Sequence, residues 1–495
     1  MATSKVASCG LSTLPDELLL AILDYIEVDD IPTLRDLVST NRRLHDLAIK
    51  RLYSRYSGHT PELFLRTIAL PSPARCPALA DNVKQVFWDQ KHMSHQERLR
   101  GEEKVAFRRP IADQLSRRGF NLRGLDSKDL RWRYLYTPGL ERNAWWYLEF
   151  FLCFVPNVET LVVSEAWQWD DHVYWFEILP ANPGRFQRLT SITLHGPLRL
   201  ENIVPVITLP SLQTLELTQV LHMRQEPGRT FLWDEEPVAS VKSILAAGSS
   251  LEHFILRESH IDTSSLLPFF QAFRALKSFT YEHCFDYLST VAHLKLDYQA
   301  LTQCLRLQRA SLEYLRVRHS FSLSEMDVDL LLAPHTFLTA RPELRSNLPL
   351  SSLRTLDLGP FDIQYPYGTG YDEEPFVEAL PRSLEVLRIH WKYDFTWPDR
   401  LPKFLAFMGS VAARAASALP RLKHVALVDW PALAGWVQLP SQVAALHRLY
   451  ATMDIRFSVV YEHIHGPEPL EVREHVEPEW LWVQKTGVFP QYEQS

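Results

Sequence analysis

The stretch Leu353-Arg354-Thr355-Leu356-Asp357-Leu358 decides the architecture. Its apolar residues stand at the first, fourth and sixth places. The last three residues alternate apolar, polar, apolar, as a short strand with one buried side does. The same six-residue block begins again at Val158, Leu189, Leu212, Leu251, Leu276, Leu312, Leu384 and Leu422. Val83-x-x-Val86-x-Trp88 reads as an earlier copy, and Ile455, Phe457 and Val459 read as a final strand. The intervening positions are often polar or charged, as in Glu252-His253, Lys277-Ser278, Glu313-Tyr314, Arg354-Thr355 and Lys423-His424. A proline or serine often precedes the block, for example at 209–212 and 419–422. Apolar stretches of helical character, such as 238–247 and 265–273, come before that. The predicted unit is helix, tight turn, short strand.

This unit resembles the leucine-rich repeat. One such unit cannot bury its own apolar face, so neighbours stack and share a core. The blocks are spaced 23 to 41 residues apart, whereas regular repeats of this class take roughly 20 to 29. The asparagine usual after the strand is not regular here. The resemblance therefore implies an α/β repeat fold, an irregular leucine-rich-repeat solenoid of stacked helix–strand units over residues 81–465.

Residues 11–56 read differently. Pro15 suits a first helical turn, and Asp16 and Glu17 follow where negative charge is favourable. Leu18, Leu19, Ile22, Leu23 and Ile26 form an apolar stripe at helical spacing. A second helix is predicted after Asp29-Asp30 with Pro32 early, carrying Leu34, Leu37 and Val38. A third is capped at Ser39, Thr40 or Asn41 and carries Leu44, Leu47, Ala48 and Leu52. Fewer than 50 residues make a marginal core, and three short helices cannot hide this much apolar face. Such an excess marks an interface.

The run Leu14-Pro15-x-Glu17-Leu18-Leu19-x-x-Ile22, then Leu34, Leu37-Val38 and Asn41-Arg42-Arg43-Leu44, is similar to the F-box motif, and its ending, Arg43-Leu44-His45-Asp46-Leu47-Ala48 followed by Leu52-Tyr53, resembles the fungal form. That resemblance implies a Skp-type adaptor as partner and, through it, a cullin. It implies Leu14, Pro15, Leu18, Ile22, Leu34, Leu37, Val38 and Leu44 as the adaptor-binding set, divided between the bundle core and the interface. Many F-boxes carry a Trp where this chain has Leu44, which buries less area. The repeats imply a large surface for an unknown target protein. The expected division is a tail at 1–10, the F-box at 11–56, linker helices at 57–80, the repeat domain at 81–465 with a basic insertion at 98–133, and a C-terminal tail at 466–495.

Composition narrows the classes. The 495 residues are 46% hydrophobic and 22% charged, with a formal net charge of -7, so neither nucleic acid nor membrane is expected as a partner. The most apolar run, 144–155, is too short to span a bilayer. The N-terminal residues show no signal-peptide core. Cysteines 9, 76, 153, 284 and 304 form neither a disulfide framework nor a zinc spacing, which suits the cytoplasm and/or nucleus. His92 with His95, and His463 with His465, lack a ligand set, so no metal is expected. No phosphate loop, dinucleotide fingerprint or nucleophile elbow is present, so no catalytic residue and no cofactor are assigned.

The 98–133 insertion holds eleven Arg or Lys against five acids and reads as a solvated face or a docking surface for an acidic or phosphorylated partner. The turn-rich stretches 224–237 and 360–375, and the aromatic residues Trp391, Tyr393, Phe395, Trp397, Trp430 and Trp436, are further recognition candidates. The functional expectation is a non-catalytic substrate receptor of an Skp–cullin–F-box ubiquitin ligase. Two alternatives stand beside it: a non-degradative F-box protein working with the adaptor alone, and an enzyme on an unrecognised α/β scaffold.

Overall fold

The structure, a computed structural model, describes residues 14–27, 30–57, 64–65, 77–89, 115, 117, 119, 145–164, 182–198, 200–220, 246, 248–259, 261, 263–285, 298–321, 350–359, 377, 380–390, 400–428 and 439–460. Its contacts divide into two compact units, one holding the described residues up to 251 and the other those from 252 onward.

The first unit opens with three helices, α1 (Asp16–Tyr25), α2 (Ile31–Thr40) and α3 (Arg42–Leu52). Their ends fall where the local chemistry puts them. The Asp30 side chain accepts from the Thr33 N–H at 3.1 Å at the start of α2, and Asn41 accepts from the Leu44 N–H at 2.9 Å at the start of α3. Leu23, Leu34 and Ala48 form the bundle core, with Ile26, Leu37, Val38, Leu47 and Leu52 packed on it.

Strand β1 (Arg55–Tyr56) follows α3 at once. Then come β2 (Gln85–Asp89), α4 (Trp145–Phe154), β3 (Thr160–Ser164), β4 (Ser191–Leu198), α5 (Val204–Ile207) and β5 (Thr214–Val220). These five strands pair in sequence order and all in parallel. Tyr56 of β1 joins Phe64, Trp88 and Phe151 in one aromatic cluster, its ring 4.5 Å from that of Phe151. The sheet of this unit therefore begins directly after the last helix of the bundle.

The second unit holds seven strands: β6 (His253–Ser259), β7 (Ser278–Phe285), β8 (Tyr314–Phe321), β9 (Thr355–Leu358), β10 (Val386–His390), β11 (His424–Val428) and β12 (Arg456–Val460). They too pair in parallel and in sequence order. Helices α6 (Leu267–Ala272), α7 (Tyr298–Leu307), α8 (Arg400–Ala418) and α9 (Leu439–Ala451) precede β7, β8, β11 and β12. The protein is thus mixed α/β, with all strand pairing among the described residues parallel.

The blocks read from the sequence are these strands. In the first unit Val86, Leu161, Ile192 and Leu215 stand side by side in register. In the second, Phe254, Phe279, Leu315, Leu356, Leu387, Val425 and Phe457 do the same. All of these side chains are buried. Matched spacing lets each apolar face continue its neighbour's. Only β1 went unread, because two residues carry no alternation.

The recurrent serine also has a structural role. Ser211 Oγ donates to the carbonyls of Phe186 (2.7 Å) and Leu189 (3.0 Å), and Ser250 Oγ donates to that of Pro210 (2.7 Å). Ser383 Oγ repeats the contact on Leu353 at 2.7 Å. Each hydroxyl ties one turn to the turn before it and satisfies carbonyls that no ladder reaches.

Candidate docking helix and charged strand face

Helix α1 is held at both ends. Arg43 of α3 donates to Asp16 Oδ1 at 2.7 Å and to the Leu14 carbonyl at 2.7 Å. Arg51 bonds Asp24 Oδ1 at 3.0 Å and the Ile26 carbonyl. With its rotation so set, the apolar stripe read from the sequence splits in two. Leu19 and Leu23 are buried, while Leu18 is 51% and Ile22 40% exposed. Pro15 is exposed, and Tyr25 is 91% exposed. Positions 15, 18, 22 and 25 lie three and four residues apart and so share one helix face.

The adaptor-binding set expected from the sequence thus falls into three groups. Pro15, Leu18 and Ile22 are exposed on the outer face of α1. Leu14, Leu37 and Val38 are half-buried. Leu34 and Leu44 are buried, so as the chain stands they support the bundle from within and offer no surface. Tyr25 was not singled out from the sequence, although its spacing from Ile22 was the available signal. Leu20 is also exposed, but it stands away from this face.

A second constellation lies on the strands of the second unit, on the face away from the aligned apolar residues. Glu282 on β7 is approached by Arg316 Nη2 at 2.9 Å, Arg257 Nη1 at 3.5 Å and Arg318 Nη1 at 3.8 Å. Asp357 on β9 is fully buried; His390 Nε2 lies 2.6 Å and Arg318 Nε 3.6 Å from its Oδ1. Tyr314 Oη lies 3.5 Å from Asp357 Oδ2, and the Arg318 guanidinium also contacts the His390 ring.

Burial pulls the Asp357 carboxyl upward, but His390, Arg318 and Arg316 outweigh it and hold the group well below the usual carboxylate range. Burial lowers His390 below its ordinary value; Asp357 opposes that shift, and Arg318 and Arg316 add to it. Burial and the charge of Asp357 raise the Tyr314 hydroxyl. From the sequence alone, the middle position of each strand reads merely as its polar side. Consecutive charges there (Arg316, Asp357, Arg388) were the missed signal.

A third feature is an edge of alternating charge. The carbonyl of each residue at the second place of a block accepts N–H groups from the next block: Glu252 from Lys277, Lys277 from Glu313, Glu313 from Arg354, Arg354 from Glu385 and Glu385 from Lys423. Their side chains alternate in sign along the stack. Lys277 Nζ lies 2.7 Å from Glu252, and Lys423 Nζ 2.8 Å from Glu385.

Cys153 and Cys304 are buried and unbridged, and burial pushes the Cys304 thiol up to about 12, which leaves it unreactive. Among the described residues no helix is long and apolar enough to cross a membrane. None of their His, Cys, Asp and Glu side chains gather as a metal site. The four histidines paired in the sequence, nearly all of 98–133, the stretches 224–237 and 360–375, the Trp391 to Trp436 aromatics and both tails lie outside the described residues. Compared with known proteins, the chain matches no family model and no curated sequence.

Proposed function

We propose that this chain is the substrate-recognition subunit of a Skp–cullin–F-box ubiquitin ligase. The observation that carries the proposal is the outer face of α1, where Pro15, Leu18, Ile22 and Tyr25 expose apolar surface on a helix whose other side is packed. An apolar helix face left in water suits a protein partner, and the F-box resemblance of residues 14–44 names a Skp-type adaptor. The adaptor brings the cullin. The setting is the cytoplasm and/or nucleus.

We read the parallel strands of both units as parts of an irregular leucine-rich-repeat solenoid. Support comes from the sequence-order pairing and from the alignment of one apolar block per strand. In this reading the polar strand face is the surface that holds a target protein. The receptor supplies no bond-making residue. It acts by proximity, holding target lysines near a charged ubiquitin-conjugating enzyme and so raising their effective concentration. The aromatic cluster around Tyr56 fits that role, because it anchors the first strand directly after the last helix of the bundle.

Affinity purification of the full chain tests the proposal. Adaptor and cullin are expected together with the wild type, and both are expected to disappear with Leu18→Asp/Ile22→Asp. Recovery of the adaptor without cullin favours the non-degradative reading. Failure of purified adaptor to bind the full chain sinks both.

A further inference from the structure

The polar strand face of the second unit is weighted toward positive charge. Arg257, Arg316, Arg318 and Arg388 supply four guanidinium groups, against the carboxylates of Glu282 and Asp357. Arg388 differs from the other three. It stands directly opposite Asp357 in strand register, yet His390 and Arg318 occupy that carboxylate. Among the described residues Arg388 makes no hydrogen bond and no ion pair, and it is half-buried. Its other strand neighbour is the apolar Ala426.

A half-buried guanidinium beside other guanidinium groups is disfavoured unless an anion joins it. The planar fork of arginine matches a carboxylate with two parallel hydrogen bonds. We propose that this face takes an acidic segment of a bound protein, with Arg388 pairing to an Asp or Glu carboxylate of that segment. The inference rests on the reading above, in which the strand face holds the target, and it adds the chemistry by which the target is chosen. The Asp357–His390 pair then acts as a positioning element. By occupying the one carboxylate in register with Arg388, it leaves that arginine for the ligand.

The test is selection of random peptides on the immobilised full-length chain, run in parallel on wild type, Arg388→Lys and Arg388→Glu. Peptides selected on wild type are expected to be enriched in Asp and Glu, and Arg388→Glu is expected to abolish the enrichment. A synthetic peptide from the wild-type pool should bind Arg388→Glu at least about tenfold more weakly, the scale of one charge-assisted hydrogen-bonded pair. Arg388→Lys keeps the charge but loses the fork, and should fall between. An enrichment that survives Arg388→Glu, or a pool without acidic residues, overturns the proposal. So does binding that appears only when the peptide carries phosphoserine, which would assign the face to phosphate instead. Thermal unfolding of each variant checks that the face is intact. Adaptor binding, measured on the same preparations, should not change. Its absence from wild type would refute the ligase reading and leave the peptide result standing.

Discussion

Replacing both Leu18 and Ile22 by Ala should separate docking from folding. Their side chains are 51% and 40% exposed, so about half of each remains to be covered by a partner. Full burial of a leucine or isoleucine is worth roughly 1.5–3 kcal/mol. Covering the exposed halves then contributes roughly 1.5–3 kcal/mol for the pair. At about 1.4 kcal/mol per decade, adaptor affinity should fall roughly 10- to 100-fold. The bundle itself should lose little, because the core residues Leu23, Leu34 and Ala48 are untouched. Leu34→Ala is the contrasting variant. It opens a cavity in that core and should cost about 2–5 kcal/mol of stability, losing adaptor binding only through unfolding. Isothermal titration of purified adaptor into each full-length variant, with thermal unfolding followed by circular dichroism, distinguishes the two failures. If the folded double variant binds within twofold of wild type, the outer face of α1 is not the docking surface.

Other expectations concern the second unit. Lys277→Glu would set three negative charges in a row with Glu252 and Glu313; it should lower the midpoint of thermal unfolding, with a cost on the order of 1 kcal/mol that 1 M salt reduces. Gln308 is buried, donates to the carbonyls of Phe270 (2.8 Å) and Phe273 (3.0 Å) and accepts from the Leu276 N–H (3.1 Å). Gln308→Leu strands all three backbone groups and should cost roughly 2–4 kcal/mol in urea unfolding. The pH dependence follows from two depressed groups. His390, below its ordinary 6.5 in the folded chain, contributes stability that is present above pH 6.5 and lost as pH falls through its folded value. Asp357 adds stability present above 3.8 and lost further into acid. Urea midpoints measured from pH 8 to 4 should decline below 6.5, and His390→Asn should flatten the part of that decline that begins at 6.5.

The strands and the three helices were legible in the sequence because their signals are local. Alternation within a block such as Leu353 to Leu358 depends only on successive side chains pointing to opposite faces. Asp30 and Asn41 cap helices through hydrogen bonds to residues three places on. Equivalent blocks match one another because a shared core imposes the same apolar spacing on every strand. The split of the α1 stripe was not legible. Leu18 and Leu19 are neighbours with the same chemistry, and only the packing of α1 on its partner helices, with Arg43 and Arg51 gripping its ends, decides which one is buried. The charged face was hidden for the same reason. Arg318, Asp357 and His390 lie on three different strands, and each polar position alone reads as solvent-facing. Register brings them together, and burial then turns three ordinary polar side chains into one interacting cluster. Sequence by itself determined which segments become strands and helices, since that choice is made within a few residues. Tertiary structure decided which apolar residues stay outside and which charges meet, since those depend on contacts between residues far apart in the chain.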